Sequence, residues 1–338
     1  MKHTGKILVL AYPDTFVTMS TEFICKLLPL VGLGTKEYIK AGHAALILIN
    51  NTSGKASYFD FGRYITPKGH GRVRGANTDA ELVIPFNAKL DSNGNLKNLD
   101  SLLLWLDANP QKTHGEGRLL ASVCDDVDYH AAKKFIESLQ KKGSIPYGAF
   151  GKKGSNCSRF VTDTILASTS NKKIKKRLNF NKKFTPSTVG NVEKASLNRK
   201  VYEVFNGVIK PFKGSALKEN LTNYFDKKRS SNLVPVPKKE LPENAQQLTG
   251  TGSNAWFLLL KDEELPAHHY RIKRYNDKHE EDFDGVYYNE DFDASKAFQF
   301  TYDSHCKHCS IIQDKSKFEF KCVGVFSEFN LMRKEHSA

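Results

Sequence analysis

Cys157 and His43, far apart in the sequence, carry the chemistry it offers most plainly. Cysteine attacks carbonyls as the thiolate, and an unperturbed thiol pKa of ~8.5 leaves only a few per cent ionised at neutral pH. Two surroundings raise that fraction: the positive end of a helix and a nearby imidazole. The run Gly154-Ser155-Asn156-Cys157-Ser158-Arg159-Phe160-Val161 offers the first. Ser155 or Asn156 can cap a helix, and Cys157, Val161, Thr164, Ile165 and Ser168 recur at 3–4 spacing. Cys157 therefore falls in a first helical turn, on the side that faces the core. Free backbone N–H groups there favour negative charge and can cradle an oxyanion, a contribution of ~3 kcal/mol per donor.

The base must come from elsewhere. His43 follows Gly42 and opens the apolar run Ala44–Ile49. A polar side chain at the mouth of a buried strand needs a partner, since unpaired burial costs ~1–3 kcal/mol. Asp60 could hold the far imidazole nitrogen and fix its tautomer. Alternation places Tyr58, Asp60 and Gly62 on one strand face and Phe59 and Phe61 on the other. His70, between glycines, is a second candidate base. Asn156, Ser158, Arg63 and Tyr58 flank these groups and are the expected substrate contacts. Arg63, Arg72 and Arg74 could bind a substrate carboxylate or phosphate, or pair with Asp79 and Glu81. Each site residue also has a plain reading: Cys157 as a core cysteine, His43 as a satisfied buried histidine.

The elements that must position these residues alternate through the first half. Ile7–Ala11, Ala44–Ile49, Tyr58–Phe61, Glu81–Phe86 and Arg118–Val123 read as strands, the second and third forming a hairpin. Helical spacing appears over Leu99–Asp107 and Tyr129–Lys142, the latter with Asp residues ahead and Gly143 behind. Leu197–Ile209 and Ser215–Phe225 also read as helical. Residues 229–253 are rich in Ser, Pro and Gly and read as a linker, and the remainder alternates aromatics in short strand-like runs (Trp256–Leu260, Ala297–Tyr302, Phe318–Phe326). The expected organisation is α+β: residues 1–185 as the chemical domain, 186–253 as a helical and linker segment, 254–338 as a smaller β-rich region.

A Gly-His pair, an apolar strand, a hairpin partner with a polar residue and, much later, an Asn-Cys opening a helix together resemble circularly permuted papain-like proteins of the NlpC/P60 type. That group includes the lecithin:retinol-acyltransferase-like and YiiX/YebB-type branches, in which His precedes Cys. The pieces Ala41-Gly42-His43-Ala44-Ala45, Tyr58-Phe59-Asp60-Phe61-Gly62-Arg63-Tyr64 and Gly154-Ser155-Asn156-Cys157-Ser158-Arg159-Phe160 are similar to a bacterial family of unknown function. The resemblance covers about residues 1–170. It implies an antiparallel sheet packed against a nucleophile helix, and a cysteine hydrolase of peptidase or amidase type with Cys157, His43 and Asp60 as its catalytic set. Its substrate would hold an amide or ester: a peptide, a cell-wall peptide or an acyl lipid. The lipid acyltransferase or thioesterase of the same fold is the alternative enzyme, and a papain-like binding module with a basic contact surface the alternative without catalysis. Where many relatives carry a third polar histidine, none lies between Tyr58 and Tyr64.

Composition limits the remaining classes. The chain has 338 residues, 39% hydrophobic, with a formal charge of +14. A basic sum predicts attraction to anions rather than a specific ligand. The positive charge is partly concentrated in 171–184 with only Phe180 and Phe184 beside it, so this stretch reads as a solvated basic loop and no specific nucleic acid is expected. The first apolar run is too short for a signal-peptide core and no stretch approaches the ~20 residues that span a bilayer. The expected location is cytoplasmic, with the six cysteines mostly reduced. Cys306 and Cys309 form half a zinc motif, with His305, His308 and Cys322 nearby, but no second such pair exists. No metal and no cofactor are expected.

Overall fold

The computed structural model describes residues 3–20, 22–151, 154–183, 185–198, 200–228, 239–261, 264–329 and 331. The chain divides into two compact units, Met1–Gly62 with Gly71–Ala76 and Leu82–Ser230, and Arg63–His70 with Asn77–Glu81 and Ser231–Ala338.

In the first unit the chain runs through β1 (Gly5–Tyr12), β2 (Val17–Thr18), α1 (Phe23–Leu27), a 3-10 turn at Leu28–Val31, β3 (Tyr38–Ile39), β4 (His43–Asn50), β5 (Ala56–Gly62) and β6 (His70–Gly75). Then follow α2 (Leu99–Asp107), α3 (Pro110–Thr113), β7 (Leu119–Val127), α4 (Tyr129–Lys142), β8 (Ile145–Pro146), α5 (Cys157–Ser168), α6 (Lys172–Asn181), α7 (Thr188–Ala195), β9 (Tyr202–Phe205), β10 (Val208–Pro211) and α8 (Ala216–Phe225). The main sheet has the order β10-β9-β7-β1-β4-β5-β6-β8. β1 pairs antiparallel with β4 on one side and β7 on the other. Both faces of this central strand are covered, which is why GKILVLAY is apolar without alternation. Ile7, Val9 and Ala11 pack with residues of α4, α5, α6 and α7, while Leu8, Leu10 and Tyr12 pack with Leu102, Leu103 and Leu106 of α2.

The second unit holds a seven-stranded sheet of order β11-β12-β13-β14-β17-β16-β15. Its strands are β11 (Gln246–Leu248), β12 (Ala255–Leu260), β13 (His269–Tyr275), β14 (Glu281–Tyr288), β15 (Gln299–Phe300), β16 (His308–Gln313) and β17 (Ser316–Val325). The two edge strands approach each other through Gln246, whose amide donates to the Phe298 carbonyl and accepts from the Phe300 N–H, so the sheet curls toward closure. Phe257, Ile272, Tyr287, Phe292, Phe300 and Phe320 fill its interior. Of the expected linker, residues 229–238 lie outside the described residues, and Gln246–Leu248 is a strand of this sheet.

The mixed α and β architecture with antiparallel sheets agrees with the sequence reading, and so do the first-strand, hairpin and α4 assignments. The Asp128 side chain accepts from Ala131 N and caps α4, and Gly143 ends it at φ 64°. Three expectations are corrected. Leu197–Ile209 is not a helix: β9 and β10 form a hairpin about Asn206 and Gly207, at φ 51° and 77°, the mirror-image turn that Asn-Gly favours. Glu81–Phe86 is not a strand: Ala80–Leu82 is a 3-10 turn, and Pro85 can donate nothing to a ladder. The basic stretch is not a loop but α6, capped by Asn171 and held by buried Ile174 and Leu178, with its lysines on the outer face. Phe184, the second aromatic of that stretch, lies outside the described residues.

Candidate active site

His43 is the first residue of β4, and the register explains what it meets. Ala45 pairs with Asp60 across β4 and β5, so His43, two residues earlier, shares a face with Asp60 as its diagonal neighbour. The next strand sets Arg74 directly opposite Asp60. The guanidinium grips the carboxylate with both arms, Nε to Oδ1 at 3.0 Å and Nη2 to Oδ2 at 2.6 Å. The Tyr58 hydroxyl donates to Oδ2 at 3.2 Å, and His43 Nε2 lies 3.4 Å from the same oxygen. That last separation is an ion-pair distance rather than a tight hydrogen bond, since Oδ2 already accepts from two donors. Asp60 has no exposed surface and Arg74 is only 2% exposed. Burial disfavours the carboxylate charge, yet Arg74 and His43 outweigh it and hold the Asp60 pKa well below the ordinary carboxylate range.

The same imidazole interacts with the Cys157 thiol through a side-chain hydrogen bond and charge. The Asn156 side chain caps α5, its Oδ1 accepting from Arg159 N at 2.8 Å, and Cys157 takes the first helical position. Burial alone would raise the thiol pKa. The hydrogen bond and charge of His43, the Ala44 N–H and Ser158 together lower it. Burial works against a charged imidazole too, but Asp60 and Cys157 raise His43 to about 9. The pair therefore favours thiolate and imidazolium, with Asp60 behind the imidazolium as its counter-charge.

The segment leading into α5 is braced from two sides. The Glu22 carboxylate accepts the backbone N–H of Ala149 at 2.6 Å and of Gly151 at 2.7 Å, and Phe150 N also points at it. Arg159 donates to the carbonyls of Ala149, Gly151 and Gly154. From the far side, Asn191 of α7 donates to the Ser158 carbonyl at 2.7 Å.

A cavity of about 180 Å³ opens on Cys157. Asn156, Ser158, Tyr147 and Tyr224 line it together with Met19, Cys25, Leu28, Leu33 and Ile39.

The structure thus brings together His43, Asp60 and Cys157, with Asn156 and Ser158 on the cavity wall. Tyr58 is buried as a donor to Asp60, and Arg63 falls in the second unit, its carbonyl accepting from Gly252 N. His70 also falls in the second unit, its Nδ1 3.3 Å from the Lys68 carbonyl. Arg74 pairs with Asp60, while Asp79 and Glu81 meet Arg274 at 3.1 and 2.8 Å. Glu22, Asn191 and Tyr224 were missed from the sequence; only Glu22 had a local signal, as an acidic residue ahead of an apolar run. Among the described residues no cluster of His, Cys, Asp and Glu is arranged to hold a metal ion, and no helix is long and apolar enough to cross a membrane.

Residues 7–174 match the family described as type VI secretion system effector TseH-like, and residues 245–323 match the DUF6695 C-terminal domain. The chain is also similar to the crystal structure of a type VI secretion system effector, TseH, at 21% identity and a TM-score of 0.41, over 61% of this chain and 97% of that one. No curated protein matches the sequence.

Proposed function

We propose that the first unit is a permuted papain-like cysteine hydrolase, with Cys157 as nucleophile, His43 as base and Asp60 as the residue that orients and charges His43. The observation that carries this reading is the order Cys157, His43, Asp60 at the start of a capped helix, opening on a cavity. The thiolate attacks an amide or ester carbonyl. The new C–S bond forms as the carbonyl π electrons move to oxygen, where N–H groups at the start of α5 face the developing charge. The C–N or C–O bond then breaks as the His43 imidazolium protonates the leaving group. A water, deprotonated by His43, cleaves the thioester and releases acid and free thiol.

The match of residues 7–174 to TseH-like effectors supports a hydrolytic effector as the biological role. A delivered effector acts outside the cell that makes it, so a cytoplasmic location would describe its synthesis rather than its site of action. The test is active-site labelling of the full chain by iodoacetamide with peptide mapping. Modification concentrated at Cys157 and suppressed in a His43→Ala variant is expected. Labelling no faster than that of an unfolded cysteine would overturn the reading.

A further inference from the structure

The rim of the Cys157 cavity is apolar on its outside as well as its inside. α1 and the 3-10 turn after it bury only Cys25, yet expose Phe23 (75%), Ile24, Leu27, Leu30 (80%) and Val31. The core gives this segment no reason to be so apolar. α8 stands beside it: the Phe225 ring lies against Gly32, and Gly34 N donates to the Tyr224 carbonyl at 2.8 Å. Leu217, Leu221 and Phe225 follow one another at four-residue spacing along α8 and are all exposed. Large apolar side chains gathered on a monomer surface mark a contact with something apolar. Inside the rim, Leu28, Leu33 and Tyr224 continue from these same elements into the cavity wall. The collar and the cavity form one apolar path that ends at the Cys157 sulfur.

Charge on the collar selects the partner. Lys26 and Lys218 are exposed on these elements and Lys36, Lys227 and Lys228 on the segments beside them, with Glu37 an exposed acid among them, while Glu219 and Asp226 are engaged by Arg118 and Lys40. Exposed apolar residues set among lysines suit a bilayer with anionic headgroups. The cavity, at about 180 Å³, is more than ten times the ~10–15 Å³ that admits one water. Its lining is mostly apolar and supplies few groups to solvate a polar substrate.

We propose that this face docks on an anionic lipid surface and that the cavity takes the acyl chain of an ester- or amide-linked amphiphile, presenting its carbonyl to Cys157. The proposal rests on the cysteine-hydrolase reading for its chemistry and adds the substrate class and the surface. The acyl group becomes the thioester, the polar head departs with the proton from His43, and water releases the fatty acid.

Two measurements on the full chain test it. The first compares kcat/KM for p-nitrophenyl acetate and octanoate. A methylene taken fully out of water improves binding about fourfold, so a gain of at least about tenfold for octanoate is expected. Leu33→Trp, which fills the cavity, should bring the ratio of the two esters close to one. The second is co-sedimentation with vesicles of phosphatidylcholine and phosphatidylglycerol (7:3) against pure phosphatidylcholine. Binding to the anionic vesicles only, weakened several-fold by Leu30→Asp with Leu217→Asp, is expected. Equal rates for the two esters, faster turnover of a peptide amide than of the octanoyl ester, or no binding to anionic vesicles would overturn the proposal. Hydrolysis that survives Cys157→Ala would instead remove the nucleophile assignment, while vesicle binding by that variant would still report on the docking face.

Discussion

Asp60 faces Arg74 squarely across one strand pair and His43 diagonally across the other, so a single buried carboxylate anchors both the sheet and the imidazole. The guanidinium keeps the carboxylate ionised inside the protein, and the ionised carboxylate keeps His43 charged. Replacing Arg74 should therefore harm the fold first. Arg74→Met would leave Asp60 buried without the guanidinium opposite it, and breaking such a pair costs about 3–5 kcal/mol. Urea unfolding should show a lower midpoint at an unchanged slope. A loss below about 1 kcal/mol would mean that the carboxylate finds other support.

Asp60→Asn separates the two roles. An asparagine still contacts His43 but does not stabilise the imidazolium, and turnover should fall by about 10²–10⁴-fold, the range seen when a tautomer-fixing carboxylate is lost. It also strands the Arg74 charge, so stability should fall as well. The pH dependence carries a sign. Because the folded pKa of Asp60 is depressed, its contribution is fully present above the unfolded value of ~3.9 and is lost as pH falls through the folded value. Melting temperature followed from pH 6 down to pH 2 should drop more steeply for the native protein than for Asp60→Asn. Parallel curves would remove this linkage.

The Cys157 thiol pKa is lowered by His43 against the opposing effect of burial. Alkylation by iodoacetamide should therefore set in below the ~8.5 of an ordinary thiol. In His43→Ala the burial remains and the cation is gone, so the midpoint should move above that value. Cys124 and Cys306, both pushed up to about 12 by burial, supply internal controls that should stay unmodified in the folded protein. A midpoint unmoved by His43→Ala would mean that the two side chains do not communicate.

The parts of this site that were legible in the sequence are those set by local pattern. The Asn156 cap, the first-turn position of Cys157 and the hairpin that carries His43 and Asp60 all follow from spacing within a dozen or so residues. The choice of strand face, open from alternation alone, was decided by the Ala45–Asp60 register. For Arg74 the sequence offers a substrate ligand or a partner of Asp79 and Glu81; its place opposite Asp60 is not foreseen, because nothing in the sequence gives the pairing of the next strand. Arg274, the residue that takes Asp79, Glu81 and Asp282, lies some two hundred positions downstream of the first two. The β9–β10 hairpin is different: Asn206-Gly207 was a local signal, overridden by an apparent helical spacing across it.

Glu22 ties α1 to the segment that enters the nucleophile helix, accepting three successive backbone N–H groups. A carboxylate meets all three at once, whereas Glu22→Gln keeps one acceptor oxygen and brings two N–H hydrogens toward backbone donors. Amide hydrogen exchange over 148–151 should quicken by at least about tenfold in this variant, with exchange in β1 unchanged. Turnover should fall while the Cys157 alkylation midpoint stays in place, because His43 is untouched. Unchanged exchange over 148–151 would show that Arg159 holds the segment alone.

Cys306, Cys309 and Cys322 are the remaining test of a structural metal. A zinc site would hold them as thiolates and contribute a large part of the folding energy of the second unit. Burial pushes the Cys306 thiol up to about 12 and the Cys309 thiol higher still, so a zinc here would have to displace protons held tightly in its absence. The Cys309 thiol donates to the His305 carbonyl, and Cys322 to the Gly324 carbonyl, both uses of a neutral S–H. The aromatic interior around Phe257, Phe292, Phe300 and Phe320 supplies the burial that a metal would otherwise replace. EDTA should leave the melting temperature of the full chain unchanged within about 1 °C, and elemental analysis should find well under one mole of zinc per chain. Stoichiometric zinc, with loss of second-unit structure on chelation, would reverse this assignment and make the Cys306-x-x-Cys309 pair a ligand set.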